Sequence, residues 1–100
     1  MRDLELDTQV RGKTAEVVLS GELDMAAAFK LEPAIDHVVA ENAVDEVVLD
    51  LAGVSFMDSA GLGSLLSTQE RLSDLGINAE LRRPSEAAQR VLAANGIDSP

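Results

Sequence analysis

Apolar residues recur along this chain at two periods, and the switches between them mark out its elements. Leu4, Leu6, Thr8 and Val10 share one face at period two, RGK at 11–13 supplies a turn, and AEVVLS at 15–20 reads as a returning strand. This predicts a β-hairpin. In ELDMAAAFKLEPAIDHVVAEN, Leu31, Ile35, Val38 and Val39 fall at helical spacing behind Asp24, a candidate N-cap. Pro33 complicates the segment, because an interior proline removes a hydrogen bond and crowds the preceding turn. Either the helix kinks there, or a short turn precedes a helix that starts near Pro33.

EVVLDL at 46–51 is rich in β-branched residues and lacks alternation at its centre. It predicts a central strand covered on both faces, with parallel neighbours. From Ser59 the spacing of Leu62, Leu65, Leu66 and Leu72 predicts an amphipathic helix that stops at Gly76. INAELR at 77–82 alternates as a further strand. A last helix is expected behind Ser85, with Val91 and Leu92 turned inward, a stop at Gly96 and Ile97 folding back. The order ββαβαβα predicts one α/β domain over residues 1–100, a sandwich of a mixed β-sheet and the helices packed on it. Function in such folds gathers beyond the carboxyl ends of parallel strands, where the next helix presents free N–H groups. Here that place is residues 52–63.

Composition narrows the chemistry. No apolar run approaches the roughly 20 residues of a membrane span, and charges in MRDLELDTQV occupy the place of a secretory signal's apolar region. A cytoplasmic protein is expected. Cysteine is absent, which excludes disulfides and thiolate metal sites, and the single His37 has no partner at metal-binding spacing. A net charge of −10 sets the chain against nucleic acid and anionic membrane, both of which are held through Lys and Arg. A basic protein surface suits it better. Phe29 and Phe56 are the only aromatic residues, too few for base stacking. Phe29, Met25, Met57, Leu62 and Leu65 read as core or rim packing.

The polar cluster in SFMDSAGLGS lies at the expected functional position. With Asp58 as N-cap, its carboxylate accepts from N–H groups two or three residues on, and Ser59 takes the first helical position with its hydroxyl in solvent. Gly61 and Gly63 lack side chains, so another backbone could approach there, although each costs a helix about 1 kcal/mol. A phosphate on Ser59 would add roughly −1.5 to −2 charge beside a helix N-terminus that tolerates it, next to an Asp58 that repels it. From the residues alone, a plain helix cap is the better reading of the cluster. Catalysis with Ser59 as nucleophile and His37 as base finds no GxSxG elbow and nothing to orient the imidazole. Ser20-Gly21-Glu22-Leu23-Asp24 reads as a turn and helix cap.

LSGELD at 19–24, VVLDLAGVSFMDSAGLGSLL at 47–66 and RRPSEAAQRVLAANGID at 82–98 resemble, in order and over almost the whole chain, the STAS domain family and within it the bacterial anti-sigma factor antagonists. DSAG matches that family's phosphoacceptor motif. The resemblance implies partner switching: the unphosphorylated protein binds an anti-sigma factor that is also a serine kinase, and the sigma factor is released, as in stress-response and sporulation programmes. The kinase, using its own ATP and magnesium, then phosphorylates the antagonist, and a serine phosphatase reverses this. The chain itself would be a substrate and binder without a cofactor, a monomer or weak dimer, and not an enzyme. By position Ser59 is the acceptor, Asp24 and Asp58 match acidic residues near it, and Ala60, Gly61, Leu62 and Gly63 complete the implied partner surface. Ala60 replaces a second serine common in the family, and Pro33 interrupts a helix usually continuous there. Similar domains also serve as non-switching regulatory subunits of anion transporters and lipid-transport ATPase complexes.

Overall fold

The computed structural model describes residues 2–97. Its elements are β1 (Glu5–Arg11), β2 (Thr14–Leu23), α1 (Met25–Glu41), β3 (Glu46–Met57), α2 (Ser59–Asp74), β4 (Asn78–Arg82) and α3 (Glu86–Ala94). The sequence order ββαβαβα is thus the observed order. β1 and β2 form the hairpin, turning at Gly12, whose φ of +60° suits a residue without a Cβ.

The sheet runs β1-β2-β3-β4, with β1 antiparallel to β2 and the other neighbours parallel. Successive crossovers step in one direction, and crossovers of one hand then place their helices on the same face. The core shows this. Ala15, Val17 and Leu19 of β2 and Val47, Leu49 and Leu51 of β3 join one buried cluster with residues of all three helices, among them Leu31, Leu65 and Leu92.

Helices therefore cover β3 on one face, a correction to the expectation of two. Val48 and Asp50 are still buried, each 2% exposed, but outside that cluster. Their register neighbours are Glu16 and Glu80 beside Val48, and Val18 and Arg82 beside Asp50. Asp50 accepts from the Ala52 N–H at 2.9 Å and from Arg83 Nε at 2.9 Å. Burial pushes its carboxyl up, but the Ala52 N–H and the Arg83 guanidinium outweigh it and hold the pKa below the ordinary 3.8.

Of the two readings left open at Pro33, one falls: α1 runs unbroken through Pro33 instead of starting at it. β2 does not end in a turn at Ser20; it continues to Leu23, with register shifts between Val18 and Ser20 and between Gly21 and Glu22. Gly21, at φ +100°, lets Asp3 cross closely, since a Cβ there would stand 2.4 Å from the Asp3 carbonyl oxygen. α2 and α3 end as predicted, with Gly76 and Gly96 at positive φ and Ile97 N–H bonded back to the Leu92 carbonyl at 2.9 Å.

Candidate functional site

β2 and β3 finish side by side, Leu23 in register with Met57, and each leads directly into an aspartate and a helix. Asp24 Oδ1 accepts from Ala27 N–H at 3.0 Å, and Asp58 Oδ1 accepts from Gly61 N–H at 2.8 Å. Both caps hold extended backbone, as N-caps do. The Asp58 N–H reaches the Leu23 carbonyl at 3.4 Å, which ties the two strand ends together. Two capped helix N-termini thus lie next to each other, and Ser59 stands exposed at the first position of the second.

The implied partner surface divides in this geometry. Ala60 is half-buried and Gly63 exposed, with nothing within 4 Å of a Cβ built on Gly63. Gly61 is buried, and its Cβ would stand 1.9 Å from the Leu23 carbonyl oxygen. The expectation that Gly61 admits another protein's backbone is corrected: the backbone it admits is its own β2. Leu62 is 4% exposed and packs into the core, so its side chain offers no outward contact. Asp24, Asp58, Ser59, Ala60 and Gly63 remain on the surface or at its margin.

Two apolar residues change sides. Leu65, Leu62 and Met57 pack inside as expected, but Met25 is 64% and Phe29 80% exposed. They lie one turn apart on α1 and face outward. Phe29, Pro33, Ala60, Gly63 and Ser67 line an open groove of about 540 Å³ between α1 and α2, whose far end holds Glu32, Asp36 and Arg71. Arg71 bridges both acids, at 3.8 Å from Glu32 and more closely to Asp36. A helical wheel carried this signal: Leu31 and Ile35 define the buried stripe, and Phe29 falls about 200° from Leu31.

The arrangement offers a hydroxyl in solvent, acidic caps on either side and an apolar groove alongside. Among the described residues no group of three or more His, Cys, Asp or Glu could hold a metal ion, and no helix is long and apolar enough to cross a membrane. His37 is exposed on α1.

The STAS domain family matches residues 5–99 of the chain. An anti-sigma-B factor antagonist of Staphylococcus epidermidis is 32% identical over 95 residues, covering 95% of this chain and 87% of that protein. An anti-sigma factor antagonist from Mycobacterium paratuberculosis has a similar structure, with a TM-score of 0.80 and 31% identity over 94% of this chain and 79% of that one. The anti-sigma factor antagonist SpoIIAA in its unphosphorylated form gives 0.74 at 28% identity, over 93% of this chain and 80% of that one, and the phosphorylated form gives 0.69. With its ββαβαβα sheet and DSAG at the β3–α2 junction, the chain belongs to the STAS domain family.

Proposed function

We propose that this chain is an anti-sigma factor antagonist switched by phosphorylation at Ser59. The observation that carries the reading is Ser59 itself, exposed at the first position of α2 at the junction of two capped helices. Relatives bearing the antagonist name, and a structural relative with a phosphorylated form, support it. Unphosphorylated, the surface around Asp24, Asp58, Ser59, Ala60 and Gly63 docks on an anti-sigma factor that is a serine kinase, and the sigma factor is freed. Phe29 and Met25 extend that surface, since exposed apolar side chains beside a functional residue gain most from being covered.

The partner supplies catalysis, ATP and magnesium; this chain supplies the acceptor and the docking face in the cytoplasm. Phosphorylation adds charge and three oxygens where the partner must pack closest, so the complex opens. The helix N-terminus accommodates the phosphate, and the fold persists. A serine phosphatase restores the binding form.

The test uses the purified chain, its cognate kinase and ATP. Mass spectrometry is expected to place a single phosphate on Ser59. Ser59→Asp is expected to keep the wild-type circular dichroism but weaken kinase binding at least tenfold, whereas Ser59→Ala binds and stays bound when ATP is added. Phosphate at another serine, or unchanged binding by the Asp variant, sinks the assignment.

A further inference from the structure

We propose that the free edge of β1 pairs with β1 of a second copy of this chain, antiparallel about Thr8, so that two four-stranded sheets become one. Among the described residues β1 closes one end of the sheet and is bonded only to β2, which leaves backbone donors and acceptors along its other side. In a hairpin with a two-residue turn, the pair flanking the turn exchanges hydrogen bonds, here Arg11 with Thr14, and every second residue back does the same. Arg11, Gln9, Asp7 and Glu5 are therefore committed to β2. Val10, Thr8 and Leu6 turn their N–H and C=O groups outward.

A two-fold axis at Thr8 sets Thr8 against Thr8 and Leu6 against Val10, all outward-facing in both copies. Every free ladder group from 6 to 10 then finds a partner. The side chains favour the same register. On the helix side, Leu6, Thr8 and Val10 continue the rows of Leu19, Val17 and Ala15; Leu6 is half-buried against the core, but Thr8 is exposed and Val10 is 41% exposed. In the pair, each Val10 gains a Leu6 neighbour.

On the opposite face, Glu5 meets Arg11 twice and Asp7 meets Gln9 twice, so no like charges oppose. Charges on an edge ordinarily deter pairing. Here they sit at complementary positions about Thr8, and a register centred on Leu6 instead would set Glu5 against Asp7. Hydrogen-bond parity and charge together favour an axis at Thr8 over one at Leu6, and an axis at Val10 would pair only residues 9–11 of the strand. Because Ser59 follows β3, with β2 between β3 and this edge, such a dimer leaves both copies of Ser59 uncovered. The inference stands independently of any kinase.

Sedimentation equilibrium from micromolar to millimolar concentration tests it. The wild type is expected to show a monomer–dimer equilibrium that shifts toward dimer with added salt, as the −10 charge on each copy is screened. Thr8→Pro removes one outward N–H without touching the β1–β2 ladder and is expected to be monomeric with an unchanged circular dichroism spectrum. Arg11→Glu is expected to raise the dimer dissociation constant about tenfold, and Glu5→Arg with Arg11→Glu to restore it. A wild type monomeric throughout, or a double reversal that fails to restore pairing, overturns the proposal.

Discussion

Gly61 and Gly63 look equivalent in the sequence and do opposite things in the fold. Gly61 lets α2 press onto the end of β2, which is how Asp24 comes to lie beside Asp58. A Cβ on Gly63 would meet nothing within 4 Å, so as far as stability goes this glycine only lowers helix propensity. Gly61→Ala is therefore expected to cost about 2–4 kcal/mol and displace the start of α2, while Gly63→Ala gains about 0.5–1 kcal/mol; paired urea melts check both. No spacing rule separates the two, because the Leu23 carbonyl that distinguishes them is distant in sequence. Ser59 and Asp58 were legible since a cap acts within one turn. Asp50 was not, because its role depends on Arg83, which holds a left-handed φ of +49° and donates to it. With its pKa lowered by folding, Asp50 stabilises the protein above the ordinary carboxylate value, and that contribution is lost as pH falls through the lower folded value. Asp50→Asn is expected to cost about 1–2 kcal/mol at pH 7, and the gap in Tm to the wild type should narrow below pH 4 as Asp50 itself protonates.

At the scale of elements, type and order were readable from periodicity, and the errors fall where turn-forming or helix-breaking residues sit inside a regular element. The polar, glycine-containing run Ser20-Gly21-Glu22 reads as a turn that ends β2 at Ser20, yet the strand's burial alternates unbroken to Leu23, and the register shifts take up extra residues of β3. Gly53 in β3 opposes this stretch, and a Cβ on it would come within 2.9 Å of the Ser20 Cβ. Helix α1 shows the reverse case, a helix breaker overruled by tertiary packing. Leu31 and Ile35, 0% and 1% exposed, anchor both sides of Pro33 in the core, and their burial outweighs the bond that Pro33 cannot donate to the Phe29 carbonyl. Pro33 is exposed, so Pro33→Ala loses little packing and regains that bond. Thermal unfolding should show it more stable by up to about 3 kcal/mol.

For the whole molecule, the net charge of −10 and the switch pull in different directions, and this separates two kinetic effects. Long-range attraction to a basic partner speeds association, and a phosphate at Ser59 would only add to it. Release must then arise at contact, where a doubly charged group has to be stripped of water and fitted against a surface shaped for a hydroxyl. Stopped-flow binding to the kinase is the measurement that distinguishes the two. Raising salt from 50 to 500 mM is expected to lower the association rate of the unphosphorylated and Ser59→Asp forms alike, about tenfold or more, by screening. The loss caused by Ser59→Asp is expected to appear in the dissociation rate and to survive at high salt. Recovery of tight binding by the Asp variant at 500 mM would instead mean that the partner's contact surface is acidic, and that like-charge repulsion throws the switch.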